Sequence, residues 1–288
     1  MVFNSGASTR LDSRLENLIS YDASVTEYVN LLVYQNYGFG DMVQFLRYIP
    51  LLFERSSKLG LRIKGNFYEP WIDPTKEPPS FKSLLIKNYG KYLTDITING
   101  WNGIPQDYTH KIEFMELEKI FPVIAPDTWI VKSSNVLLPK KNKLVGYCLQ
   151  GSKGHPNDQW RSLNSLYFDY FLHKNEEITF VNLSQESLQK NYNVIEIEDT
   201  INIIKQLDLL ISVDTLLAHL AGYCNVPVWM LHGKIPDNRW LDDTNNWYPK
   251  TKHFFQGEND ENWSRLIENN LYTTFNDWKE RKDFDKSN

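Results

Sequence analysis

The chain has little cysteine: only Cys148 and Cys224 in 288 residues. Both fall in segments that read as a buried strand and a helix end. Two such thiols fit a reducing compartment and cannot by themselves build a structural zinc site. No apolar run reaches the roughly 18 residues that a membrane-spanning helix needs. Met1 to Tyr21 interleaves Arg10, Asp12, Arg14 and Glu16 with few apolar residues, so it lacks the apolar stretch of a secretion signal. The cytoplasm is the expected location. Positive charge is not in excess either. A net charge of −5 leaves no global footprint for nucleic acid or an anionic membrane, and nucleic acid is not the expected partner. Repeats and low-complexity tracts are absent. The only Asp-x-Asp, Asp283-Phe284-Asp285, stands at the C-terminal end and reads as a solvated tail. With no His/Asp/Glu cluster at ligand spacing, no metal site and no cofactor are expected.

What is present is ordinary for a globular chain: 41% hydrophobic and 23% charged residues, in a length that fits one large domain or two modest ones. Aromatics reach 14%, with nine Trp. Such a surplus suits a cleft that stacks rings or sugars, and it also simply fills cores.

The periodicity predicts alternating strands and helices. A short helix within residues 11 to 30 leads into Leu31-Leu32-Val33-Tyr34, an apolar run of strand length. Gly38-Phe39-Gly40-Asp41 then turns into a helix with apolar positions at Val43, Leu46, Ile49 and Phe53. Residues 60 to 110 are broken by Pro70, Pro74, Pro78, Pro79, Gly90, Gly100 and Gly103. Within them Leu61-Arg62-Ile63 reads as a strand and Phe81 to Ile86 as a helix. Lysine-rich Leu138 to Lys143 reads as a linker. Beyond it the alternation sharpens: strands at Leu144 to Leu149, Ile178 to Leu183, Leu209 to Val213 and Val226 to Leu231, with helices at Asn164 to His173, from a cap at Asp199-Thr200 to Gln206, and at Thr215 to Tyr223. These strands are continuous apolar runs, as parallel strands covered on both faces require. The predicted fold class is α/β, with two Rossmann-like domains facing a cleft: residues 1–137, residues 138–274, and a tail at 275–288.

Three segments carry candidate chemistry. In Gly38-Phe39-Gly40-Asp41 the glycines permit a tight turn and close approach to a ligand, with Asp41 at the helix N-terminus. As a bare pattern a plain helix cap is the better explanation of Asp41, since a third glycine and a following acidic residue are both missing from a dinucleotide pattern. The loop from Gly151 through Ser152, Lys153, Arg161 and Ser162 follows a strand at the edge where α/β proteins bind ligands. Its small, basic and hydroxyl residues suit phosphate oxygens, or an exposed polar loop. The third segment is Ser212-Val213-Asp214-Thr215-Leu216-Leu217-Ala218-His219. There a strand ends and a helix begins, offering backbone N–H groups and a positive dipole end to a pyrophosphate. His219, one turn in, can reach the same anion or simply pack.

Tyr34 to Leu52, with Asp41 within it, resembles the opening of glycosyltransferase domains often fused behind tetratricopeptide repeats, relatives of the ADP-heptose:lipopolysaccharide heptosyltransferases. Counterparts of Asn157-Asp158, Arg161-Ser162-Leu163, Ile211 to Thr215, Ala218 to Gly222, Pro227-Val228-Trp229, Pro236 to Trp240 and Trp247-Tyr248-Pro249 follow in the family order. The resemblance spans roughly Leu31 to Asn270. It implies a GT-B fold and transfer of a sugar from a nucleoside-diphosphate sugar to a glycan or other acceptor hydroxyl, with inversion by analogy. Asp41 would be the general base. Gly40, Ser152, Lys153, Arg161, Ser162, Asp214, Thr215, Leu216 and His219 would surround the donor. Leu216 stands where heptosyltransferases usually have Gly, Pro156 replaces a basic residue, and residues 64 to 105 match poorly. A catalytically silent nucleotide-sugar-binding module, and a transferase acting on nucleic-acid bases or protein, are the alternatives.

Overall fold

The computed structural model describes residues 13–35, 38–63, 80–98, 107–133, 136–139, 142–153, 155, 158–192, 194, 196–241, 247–260 and 262–280. The chain divides into two units: residues 1–134 with 195–200, and residues 135–194 with 201–288.

The first unit opens with a short helix α1 (Ser13–Glu16) and an edge strand β1 (Ile19–Ser20). Then come β2 (Val29–Tyr34), α2 (Phe39–Phe45), a 3-10 turn Leu46–Tyr48 and α3 (Ile49–Phe53). They are followed by β3 (Ser56–Ile63), α4 (Ser80–Tyr89), β4 (Asp95–Ile98) and β5 (His110–Glu113), with a 3-10 helix Phe114–Lys119 after it. All strands are parallel, in the order β1-β5-β2-β3-β4. β2 is central and its Leu31, Leu32 and Val33 are buried, so its apolar run is covered on both faces. β3 is longer than the three residues expected. α4 ends at Gly90, whose N–H meets the Ile86 carbonyl at 2.8 Å; a Cβ there would lie 2.4 Å from that oxygen. The prolines between 70 and 79 and the glycines at 100 and 103 lie outside the described residues.

The second unit holds β6 (Leu144–Cys148), α5 (Asp158–Arg161), α6 (Ser165–His173), β7 (Thr179–Asn182) and α7 (Gln185–Tyr192). Helix α8 (Ile197–Ile204) runs through both units. After it come β8 (Leu209–Val213), α9 (Leu216–Tyr223), β9 (Val228–His232), a 3-10 turn Asn238–Trp240, β10 (Thr251–Phe255), a π-helical segment Leu266–Leu271 and α10 (Tyr272–Glu280). This sheet is also parallel, ordered β10-β9-β8-β6-β7. Its core joins Val145, Leu209, Ile211, Val213, Trp229 and Leu231 of the strands to Phe168 and Phe171 of α6, and to Leu266, Ile267, Leu271 and Phe275. Both cysteines are free thiols.

Three expectations need correcting. α8 starts at Ile197 rather than behind an Asp199-Thr200 cap, because the Asp199 carboxylate reaches back to the Glu196 N–H at 3.4 Å. The stretch read as a linker begins inside the second unit: Leu138 is buried and its N–H donates to Gln206 Oε1 at 3.0 Å. Residues 275–280 are not tail but helix, with Phe275 fully buried. Asp283-Phe284-Asp285 lies outside the described residues.

Candidate functional site

Each sheet reverses its strand order once. In the first unit the chain moves outward from β2 through β3 and β4, then returns to β2's other side as β5. In the second it goes from β6 to β7 and returns on the other side as β8. The carboxyl ends beside such a reversal leave a crevice between diverging loops, where open α/β sheets bind ligands. Asp41 follows β2, the loop to Arg161 follows β6, and Asp214-Thr215 follows β8, so the candidate segments occupy those positions.

In the first unit Asp41 is not the N-cap of α2. Gly38 is, in extended backbone (φ −64°, ψ 159°), and Asp41 sits one turn in, where its Oδ2 accepts the Gly38 N–H at 3.0 Å. Gly40 lies within the first turn of the same helix.

In the second unit the described candidates converge around one peptide. The backbone turns sharply after β8, and Thr215 is the N-cap of α9 in extended conformation (φ −143°, ψ 169°). Its hydroxyl does not cap the helix; it pairs with Ser212 Oγ at 3.2 Å, and Ser212 in turn donates to the Val213 carbonyl at 2.7 Å. The first N–H groups of α9, from Leu216 and Leu217, therefore gain no bond from the cap side chain. They and the helix dipole form a positive end at the sheet's carboxyl edge. Beside them Arg161 Nη1 donates to the Asp214 carbonyl at 3.1 Å, and Nη2 meets Asp158 Oδ1 at 3.3 Å. The guanidinium lies close against Gly151, where a Cβ would approach Nη2 to 2.1 Å and displace it. Only glycine admits that contact.

The remaining candidates divide by role. The Ser162 hydroxyl accepts the Gly151 N–H at 2.9 Å and donates to Asp158 Oδ1 at 2.7 Å, so it braces the loop instead of facing outward. Ser152 and Lys153 are exposed on that loop. Gly154, Pro156 and Asn157 lie outside the described residues. His219 does not reach outward either. Its ring is 2% exposed, with Nδ1 2.9 Å from the Tyr248 hydroxyl and Nε2 3.5 Å from Asp214 Oδ1.

The Asp214 carboxylate also turns inward, its Oδ2 accepting the Trp240 indole N–H at 2.8 Å. Burial alone would raise its pKa. The His219 hydrogen bond and charge, the Arg239 charge and the Trp240 N–H outweigh burial and hold the carboxyl well below the usual range. Trp240 and Tyr248 were missed as site residues. Their motifs, Pro236 to Trp240 and Trp247-Tyr248-Pro249, supplied the only sequence signal, an aromatic density without an assigned role. Nearby, His232 Nε2 lies 2.8 Å from His253 Nδ1, and burial pushes the His232 pKa down to about 4.

No protein family matches the chain by sequence, and no curated protein matches it significantly. Solved structures do resemble it. One is the bacterial iron-containing dodecameric glycosyltransferase TibC from enterotoxigenic E. coli H10407, 12% identical over 71% of this chain and 58% of that one, with a TM-score of 0.50. The dodecameric iron-containing heptosyltransferase TibC in complex with ADP-D-β-D-heptose is 8% identical over 81% of this chain and 64% of that one, with a TM-score of 0.52. E. coli heptosyltransferase WaaC with ADP is 10% identical over 87% of this chain and 99% of that one, with a TM-score of 0.47. This chain thus spans less than two thirds of the length of TibC. At these identities the likeness is one of fold: the chain is an α/β protein of two parallel-sheet units, as its similarity to the heptosyltransferase TibC reflects.

Proposed function

We propose that this chain is a glycosyltransferase that moves a sugar from a nucleoside-diphosphate sugar to an acceptor hydroxyl. The observation that carries the reading is the N-terminus of α9, left uncapped by Thr215 and flanked by Arg161 at the carboxyl edge of β6 and β8. An anion is the ligand such an end favours. A diphosphate leaving group gains negative charge as the bond to the sugar C1 breaks. Helix N–H groups and a guanidinium, already oriented, stabilise that charge without reorganising. In this reading the Leu216 and Leu217 N–H groups and Arg161 hold the diphosphate, and Lys153 adds charge from the loop. Asp214, Ser162 and His219 support those groups and do not touch the anion. No metal is invoked.

Asp41 would take the acceptor's proton as the hydroxyl oxygen attacks C1 from the face opposite the leaving group, inverting the centre. This assignment rests on the resemblance of Tyr34 to Leu52 to the heptosyltransferase opening.

Thermal shift with a panel of UDP-, GDP-, ADP- and CMP-sugars tests donor binding. One of the diphosphate donors at a hundred times its Kd should stabilise the chain by about 2.7 kcal/mol. The CMP-sugar, with a single phosphate, should do least. No shift with any donor rejects the reading.

A further inference from the structure

We propose that Trp240 is a positioning residue for the diphosphate site and acts through Asp214; this rests on the donor reading above. Asp214 is an anion one residue before the N-terminus of α9, so an outward-turned carboxylate would repel the phosphate that the helix end attracts. Its two oxygens are instead drawn inward, Oδ2 to the Trp240 indole at 2.8 Å and Oδ1 toward His219 Nε2 at 3.5 Å. The main-chain carbonyl of the same residue receives Arg161 at 3.1 Å. The Asp214-Thr215 peptide, which aims the helix N–H groups and seats the guanidinium, is thus anchored through its side chain by the indole.

Trp240 is itself built in rather than merely filling space. It is 4% exposed, and the carbonyl of the preceding Arg239 accepts the Trp247 indole N–H at 3.3 Å. Its ring lies against three imidazoles, with centroids 5.9 Å from His219, 6.0 Å from His232 and 5.4 Å from His253. His219 is braced in turn by Tyr248. A tryptophan whose task is only packing needs an acceptor for its N–H but not a carboxylate. A partly buried carboxylate beside an anion site needs a fixed donor to keep it turned away.

The test uses the full chain and inorganic pyrophosphate, the part shared by all nucleoside-diphosphate donors, with affinity read by calorimetry. Trp240→Phe removes the N–H and keeps an aromatic ring. It should melt within a few degrees of wild type and bind pyrophosphate roughly ten- to a hundredfold more weakly, as loss of one hydrogen bond to a charged group implies. In an Asp214→Ala background, which removes the acceptor of the indole N–H, the same substitution should change affinity by less than about twofold, because its route of action is gone. Should Trp240→Phe melt far below wild type, Trp240→Tyr, which also lacks the indole donor, is read in the same way. Equal pyrophosphate affinity in the wild type and the folded Trp240 variant overturns the proposal alone, as does the same loss in both backgrounds. Absence of pyrophosphate binding by the wild type overturns it together with the donor reading.

Discussion

Asp41 is an acidic residue that reaches three positions back to a backbone N–H, and this chain repeats the device. Asp199 bonds the Glu196 N–H at 3.4 Å, Asp260 the Gly257 N–H at 2.8 Å and Glu116 the Glu113 N–H at 3.4 Å. Each satisfies an orphan donor at the start of a turn or helix. Asp41 therefore has a local structural reason to be acidic, independent of catalysis, and chemistry must separate the two roles. Asn retains an oxygen that can accept from Gly38 but cannot take a proton from an acceptor hydroxyl. Asp41→Asn should leave melting temperature and donor affinity nearly unchanged while turnover falls by roughly 10²–10⁴. Turnover close to wild type would reduce Asp41 to a brace for α2. Sequence reasoning located this residue correctly at the helix start but placed it at the cap, because the pattern does not reveal which of four positions holds the first helical turn.

At the scale of elements, α10 supplies the clearest departure from expectation. Phe275 packs against Phe171 with ring centroids 4.8 Å apart, and against Trp229 and Trp278 at 6.0 and 5.2 Å. Phe275→Ala should lower stability by about 3–5 kcal/mol in urea unfolding; a loss below about 1 kcal/mol would mean that α10 is peripheral. The helix was hard to read because Phe275 and Trp278 stand in an otherwise polar segment with too few apolar positions to set a period. β10 was missed for a related reason. It lies at the sheet edge, with only Phe254 of its five residues buried, so it lacks the continuous run that made β2, β6, β8 and β9 legible. Within the site, Arg161 and Asp214-Thr215 were visible because each follows a readable strand. The partners of Asp214 and His219 were not: Trp240 and Tyr248 lie 26 and 29 residues further along the chain, and only the fold brings them close.

Across the whole molecule, two parallel sheets place their candidate groups at the carboxyl ends beside a reversal of strand order, and the second unit adds a histidine pair there, His232 buried and His253 partly buried. His232 faces His253, Asp214 and Asp237, and burial lowers its pKa to about 4. An unfolded histidine titrates near 6.5. Between pH 6.5 and 4 the unfolded chain therefore binds a proton that the folded chain refuses. Stability falls as pH drops through that window, by about 3 kcal/mol in full, and His232 has no effect above it. Asp214 acts in the same direction at lower pH. Its folded pKa lies below the unfolded value, so its contribution is present above about pH 4 and is lost as pH falls further. His232→Phe should flatten the fall in melting temperature between pH 6.5 and 4. An unchanged slope would assign that fall to other groups.

Sugar transfer itself is tested most directly by the release of nucleoside diphosphate when the chain is given each of the UDP-, GDP- and ADP-sugars. Steady release from one donor, abolished or strongly weakened by Arg161→Ala through a loss of about 1–3 kcal/mol in donor affinity, is the expected result. No release from any donor, or release that Arg161→Ala leaves untouched, would contradict a diphosphate site at the start of α9.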